Sequence, residues 1–273
     1  LMRIRSHDYV QAERDLGQSL YLRRDYFMPR FKKGFLYLYW AMYQMDQGQD
    51  AASTLAAGME DMTESLRLTP GDTDPWLWMG VLRTQMGLHL KNQGKDPLPV
   101  WDTAELNLSQ AVRIAPKYSE TFSKRAALRL HRGLHRASLQ EDPIPDWTAA
   151  EEDFTASLAV EDLHVDTRVL RGTLRTAVGL HLQGKGEDPL PLWDRAAGDF
   201  LYAAERGPVC ASARQGLGDL AWRRAALFES RRESAKAREA YAECARRYAE
   251  AVKINPALER TLADRAAEAK KKQ

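Results

Sequence analysis

Very little in this sequence could staple, anchor or polarise it. Cys210 and Cys244 are the only two cysteines in 273 residues, which excludes a disulfide framework and a four-thiolate zinc site. No stretch approaches the ~20 consecutive apolar residues of a membrane span, and no signal-peptide pattern opens the chain. An excess of one charge is missing too. Lys+Arg 40 against Asp+Glu 38 leaves a formal charge of +2, which argues against a general polyanion binder, and no nucleic-acid partner is expected. Runs of β-branched residues are absent, while alanine, leucine, arginine and glutamate dominate, so an all-helical chain is predicted. The length suffices for a sizeable core, and a soluble, cytoplasmic protein is the expectation.

Catalytic and cofactor motifs are equally scarce. There is no Gly-x-x-x-x-Gly-Lys phosphate loop, no Gly-x-Gly-x-x-Gly turn and no His-Glu-x-x-His. The triplets "HRG" at 131–133 and "DFT" at 153–155 lack the residues of a kinase site. The chain is therefore expected to be no enzyme and to carry no cofactor. His131 and His135 stand one helical turn apart, yet no acid or cysteine sits at ligand spacing, so both read as solvated helix residues. Neither cysteine has a sequence-visible histidine partner, and structural burial is expected for Cys244.

What the chain does have is a period. Asp96, Asp142 and Asp188 each precede a Pro-x-Pro, at intervals of 46 residues. Trp101, Trp147 and Trp193 keep that interval, as do Gly87, Gly133 and Gly179, each of which opens a Gly-Leu-His triplet. Leu36, Leu82, Leu128, Leu174 and Leu220 form a further column. A fixed period in this range signals an array of stacked supersecondary units. Within one period two helices are predicted, roughly Ser119–Ser138 and Trp147–Val160. Ala150, Phe154 and Ser157–Leu158 fall on one face of the second. Pro70, Pro116, Pro208 and Pro256 stop second helices.

These columns resemble the tetratricopeptide repeat (TPR). The second helix of that repeat carries small, large, small and proline at offsets 0, 4, 7 and 12. Gly58, Met62, Ser65 and Pro70 fit, as do Ala104, Leu108, Ala111 and Pro116, and Ala196, Phe200, Ala203 and Pro208. So do Cys244, Tyr248, Ala251 and Pro256, and Ala150, Phe154 and Ser157 with Asp162 in place of proline. The small first-helix residue stands at Gly34, Gly80, Ala126, Gly172 and Gly218, with Trp76 and Phe122 at the early aromatic position and Arg168 and Arg214 departing from it. The resemblance implies a right-handed TPR-like α-solenoid in one superhelical domain over 1–273. It would consist of a half-repeat at 1–24, about five helix pairs (27–70, 73–116, 119–162, 165–208 and 211–256) and a polar capping helix at 257–271. Against the 34-residue norm, the extra residues are expected between the first and second helices. They would form a proline-stiffened insert, three copies of which make a ridge, with docking through its Pro-Leu-Pro left open. The half-repeat, with Ala12, Leu16 and Ser19 in register, would expose an apolar face. The chain is therefore expected to be the C-terminal part of a larger protein, whose upstream portion covers that face.

In proteins of this kind the binding face is lined mainly by first helices. Members that clamp a C-terminal carboxylate carry lysine, asparagine and arginine there. The matching positions here, Leu77 and Val81, Ser123 and Ala127, and Val169 and Thr173, are apolar or small, so no such clamp is implied. They predict a mixed apolar groove instead, with Phe31, Phe35 and Tyr39 at one end and Thr84, Leu130 and Thr176 further along, open to an extended peptide or an amphipathic helix. Alternatively, Phe31 and Phe35 pack against the upstream portion. Arg83, Arg129 and Arg175 could meet an acidic partner, or each could pair with a carboxylate of the neighbouring repeat. His89, His135 and His181 read as helix-end residues or contacts to the connection. The basic C-terminal segment, interspersed with glutamate, reads as a salt-bridged surface. The wording "GLH…DPLPxW" is similar to TPR regions that follow bacterial serine/threonine kinase domains. It implies a non-catalytic interaction scaffold in a bacterial signalling protein, with a protein or peptide partner, or an upstream domain of the same polypeptide, and no membrane. The alternative is a ligand-sensing repeat domain that controls an attached effector such as a protease.

Overall fold

Each 46-residue period becomes a helix pair. In the first four pairs a 20-residue helix is followed by a 17-residue one, and in the last pair the second helix lengthens to 21 residues. The computed structural model of the protein describes residues 6–22 and 27–272, and among these there is no strand. The helix pairs are α2 (Phe27–Asp46) with α3 (Ala52–Leu68), α4 (Thr73–Asn92) with α5 (Leu98–Ile114), and α6 (Ser119–Ser138) with α7 (Ile144–Val160). Two more follow, α8 (Val165–Gly184) with α9 (Leu190–Arg206) and α10 (Ala211–Ser230) with α11 (Ser234–Ile254). Before them stands α1 (Ser6–Leu22), and after them a 3-10 turn at Pro256–Leu258 leads into α12 (Glu259–Lys271). The ends of the expected half-repeat, residues 1–5 and 23–24, lie outside the described residues. The chain forms two compact units, 1–132 and 133–273. Among the described residues, no helix is long and apolar enough to cross a membrane.

The stop after each first helix is the same backbone device repeated. Residues 48, 94, 140, 186 and 232 all have φ between 60° and 81°, three of them glycine and the others Gln140 and Arg232. The residue after each returns its N–H to a carbonyl five positions back: Gln49 to Gln44, Lys95 to Leu90, Glu141 to Arg136, Glu187 to Leu182 and Glu233 to Phe228, all within 2.9 Å. This is the Schellman closure, which satisfies carbonyls left over at the helix end. An aspartate starts the second helix in four pairs. Asp50, Asp96, Asp142 and Asp188 accept from the N–H two residues on, at 3.1, 3.0, 3.1 and 3.4 Å.

These starts correct the expectation of an inserted loop. Only residues 93–97, 139–143 and 185–189 separate the helices, so the extra length of the period lies in the helices themselves. Second helices begin three residues earlier than predicted, at Ile144 rather than Trp147. The first proline of each motif (Pro97, Pro143 or Pro189) is the buried residue before the helix, and the second falls in its first turn. Proline fits there because the N–H it lacks would be unpaired anyway. A Pro-Leu-Pro that has already turned helical offers no polyproline surface, which removes the polyproline route to docking.

Packing inside a pair turns on glycine and tryptophan. A Cβ placed on Gly87, Gly133 or Gly179 would lie 2.1, 2.3 or 2.4 Å from the indole Nε1 of Trp101, Trp147 or Trp193. Trp101 and Trp193 are fully buried and donate to the carbonyls of Thr84 and Thr176 at 3.1 and 3.3 Å. Each buried indole removes on the order of 200 Å² from water, a gross gain of roughly 5 kcal/mol. In the first unit these joints continue into cores built on Leu38, Leu55, Met62 and Leu82, and on Leu77, Trp101 and Leu108. In the second unit the cores centre on Trp193, Phe200 and Leu220, and on Tyr241, Cys244, Tyr248 and Leu262 of the closing helices.

Candidate interaction surface

In the first unit, the first helices carry a run of aromatic rings. Phe31, Phe35 and Tyr39 recur along α2 at one-turn spacing. Ring centroids are 6.2 Å apart for Phe31 and Phe35, and 5.0 Å apart for Phe35 and Tyr39. Phe35 meets Trp78 of α4 edge-on at 4.5 Å, and the Lys124 ammonium of α6 lies 5.6 Å from the Trp78 ring centroid. Tyr39 is 46% exposed and Met42 42% exposed, large apolar surfaces for a water-facing helix. Behind them, Tyr9 of α1 stacks on Trp40 at 5.9 Å, which covers the opposite side of α2.

The twelve residues expected to line a groove divide in two. Leu77, Thr84, Ser123, Leu130 and Thr176 are buried and point into the helix pairs, so they offer nothing to a partner. Phe31, Phe35, Val81, Ala127 and Val169 are half-buried, while Tyr39 and Thr173 are exposed. The reason is angular. Leu77 and Thr84 share the stripe of Gly80 and Gly87 that faces α5, and one residue further round, about 100° of helix, brings Trp78 and Val81 to the accessible side. Trp78 and Lys124 are the residues that sequence reasoning missed. They share a column of long side chains with Lys32, one position from the expected one, and that column was the available signal.

The arginine column is structural. Arg129 donates to Glu105 from Nε at 3.0 Å and from Nη2 at 2.5 Å. Arg175 grips Glu151 in the same way and also reaches Asp199 at 2.8 Å. Both glutamates belong to the preceding repeat, as the pairing alternative required. Asp199, 2% exposed, also receives Arg171 at 2.7 Å and Arg168 at 3.4 Å. In the matching position of α3, buried Asp61 receives Arg30 at 3.0 Å and Lys33 at 3.5 Å. This buried acid column (Asp61, Asp153 and Asp199, with Asn107 in α5) is marked in the sequence by its 46-residue recurrence. Arg83 differs from its counterparts. It bonds Asn107, the preceding repeat carries Met59 at the position of their glutamate, and burial pulls its guanidinium below the ordinary value.

Other titratable groups are held for packing. Burial pushes the Cys244 thiol up to about 12, which suppresses the thiolate needed for nucleophilic chemistry. His89 Nε2 lies 2.7 Å from Asp50 in the connection of the preceding pair, matching the reading of that column as a contact to the connection. His131 is not the solvated residue expected, since burial, with help from the Lys91 charge, lowers its pKa to about 4. Among the described residues, no group of three His, Cys, Asp or Glu side chains is placed to hold a metal ion. The glutamate-rich surface of α11 is salt-bridged, with Arg246 on Glu243 and Arg247 on Glu243 and Glu250 at 2.7 and 3.1 Å.

Helix pairs joined in this way, with a small first-helix column under a large second-helix residue, make an all-α, TPR-like solenoid fold. Solved structures agree. The chain is similar to a thermophilic TPR protein of Thermus thermophilus, at 15% identity and a TM-score of 0.53, covering 86% of this chain and 98% of that one. It is also similar to the S. pombe nuclear import adaptor Nro1, at 11% identity and a TM-score of 0.63, covering 89% and 87%. A third similar structure is the human IFIT1 dimer with m7Gppp-AAAA, at 13% identity and a TM-score of 0.56, covering 87% of this chain and 46% of that one. No family model matches the sequence, and neither does any curated relative. At such identities the likeness concerns the fold.

Proposed function

We propose that the protein is a non-catalytic interaction scaffold that takes a peptide or partner segment against the aromatic face of its first unit. The observation that carries this reading is the continuous run of Phe31, Phe35, Tyr39 and Trp78 on consecutive first helices, exposed at Tyr39 and edged by Lys124. Rigid aromatic rings give large contact area at low entropic cost, and an aromatic groove suits an extended or proline-containing peptide. Val81 and Ala127 continue the face. In the second unit, Val169 and Thr173 take the matching positions.

The fold itself is compatible with protein and RNA ligands, and electrostatics favour protein. The arginines that would make a phosphate track are engaged with Glu105, Glu151 and Asp199, and the formal charge is only +2. The non-catalytic reading is supported by the raised Cys244 thiol and by carboxylates that are committed to buried ion pairs. The bacterial signalling context, a cytoplasmic setting and an upstream effector domain rest on the likeness of the "GLH…DPLPxW" wording to kinase-linked repeats. A peptide-array screen with the full chain tests the scaffold reading. Tyr39→Ala and Trp78→Gln should each weaken capture at least tenfold with the melting temperature little changed for Tyr39→Ala. Capture indifferent to both would end this assignment.

A further inference from the structure

The charged ladder stops abruptly in the last helix pair. Where α8 has Arg175 against Glu151 of α7, α10 has Ala221 with Ala197 of α9 facing the same space. Arg171 gives way to Leu217 at the same interval of 46 residues, and Arg247 stands in α11 where Asp199 stands in α9. The Arg175–Glu151 pair is thus replaced by two alanines and Arg171 by leucine, and a groove of about 700 Å³ opens between α9 and α11 with α10 as its floor. Leu217, Leu220, Ala221 and Phe228 form the floor, and Leu201, 40% exposed, forms a wall.

The shape and the charge point to one kind of occupant. Leu217 to Phe228 spans about 16 Å of helix axis at ~1.5 Å per residue, the length of three helical turns. Ala197 and Ala221 leave room for another helix backbone to approach closely, as small residues do at helix contacts. The lining charges are Arg224, Lys236, Arg246 and Arg247 against Glu239 and Glu243, so cations outnumber carboxylates. Lys236 pairs with Glu233, just before α11, and its ammonium lies 5.6 Å from the Phe228 ring centroid, while Arg246 pairs with Glu243; exposed pairs of this kind contribute little and are easily redirected. Arg224 reaches Asp194 at 2.6 Å through Nη2, while its buried Nε has no protein acceptor.

We infer that this groove is a second docking site, built to receive a short amphipathic helix of a partner protein whose apolar face carries an acidic edge. The site lies wholly in the second unit and does not depend on the aromatic face of the first. The test uses a displayed library of 14-residue helices, with glutamate fixed along one edge and the apolar positions randomised, selected on the full chain. Peptides should enrich, and their lysine-edged counterparts should bind at least tenfold more weakly. The double substitution Ala197→Glu with Ala221→Arg installs the ion pair that the preceding pairs already contain. It should abolish binding while the melting temperature holds. Leu201→Glu, on the surface, should weaken binding at least tenfold as an independent check. Absence of enrichment, no preference for the acidic edge, or binding unaffected by the double substitution would each overturn the inference. Tyr39→Ala serves as the divider: peptides lost with Tyr39→Ala but retained by the groove variant would support the aromatic face and refute the groove.

Discussion

Where the first helix of a pair passes the start of the second, α4–α5, α6–α7 and α8–α9 set glycine under tryptophan. The pairs at either end do otherwise. Ala41 shares a core with Leu55 in α2–α3, and Ala225 shares one with Tyr241 in α10–α11. A larger first-helix residue thus comes with a smaller second-helix one, so the two columns behave as one volume divided between two positions. The polar columns follow the same geography. Arg129 and Arg175 hold glutamates in the middle, while Tyr37 and Ala221 stand in their places at the ends. The glycine–tryptophan column repeats without exception in the inner pairs, whereas the polar column varies even there, at Arg83 and Asn107. Departures from repetition leave an aromatic face at one end and an apolar groove at the other.

The comparison can be broken most forcefully at the tryptophan. Trp193→Ala should cost roughly 3–5 kcal/mol, and Leu55→Ala in the end pair toward the lower part of the ~2–5 range, read by urea denaturation. Equal losses would mean that the glycine–tryptophan joint has no special weight. Gly179→Ala comes next, since its Cβ would stand 2.4 Å from the Trp193 Nε1. A loss of roughly 1–3 kcal/mol is expected, and adding Trp193→Leu should recover part of it, a coupling that a double-mutant cycle would measure. Arg232→Gly should sharpen the contrast in the other direction. Arg232 has φ 60° where the matching residue 186 is glycine, and relief of that conformation should add roughly 1 kcal/mol to stability. The last expected effect, comparable in size to the two before it, is one of pH. His131 has a folded pKa of about 4 against an unfolded value near ~6.5. As pH falls through that window the unfolded chain takes up a proton that the folded one refuses, so stability declines. His131→Gln, which installs the residue α4 carries at position 85, should flatten the difference in urea midpoint between pH 7 and pH 5. An unchanged difference would place the titration elsewhere.

The fold was readable because its packing residues recur in columns. The helix predicted over Ser119–Ser138 is the helix observed. Prolines misled the reading of the connection. Pro143 and Pro145 suggest a loop by composition, whereas their positions before and within the first turn of α7 are those that tolerate a missing N–H. The candidate surface was legible only in part. Column spacing selects Phe35 and Tyr39, yet it equally selects Leu77, Thr84 and Leu130, which are buried against the partner helix. A single-residue step decides which side of a helix a residue occupies, and spacing along one column cannot supply that phase. The groove of the last pair left a different trace, since it is marked by the absence of a recurring arginine and glutamate.

Within each unit, the helices touch chiefly their neighbours in the chain. Such an architecture has a mechanical counterpart. Pulled from its ends, each unit should yield pair by pair rather than all at once, because among the described residues no strand or distant segment ties remote pairs together. Every pair that gives way frees one 46-residue period, or about 150–165 Å of extended chain at ~3.3–3.6 Å per residue. Under tension the chain would lengthen in even increments, a ruler whose graduations are set by the interval between one buried tryptophan and the next.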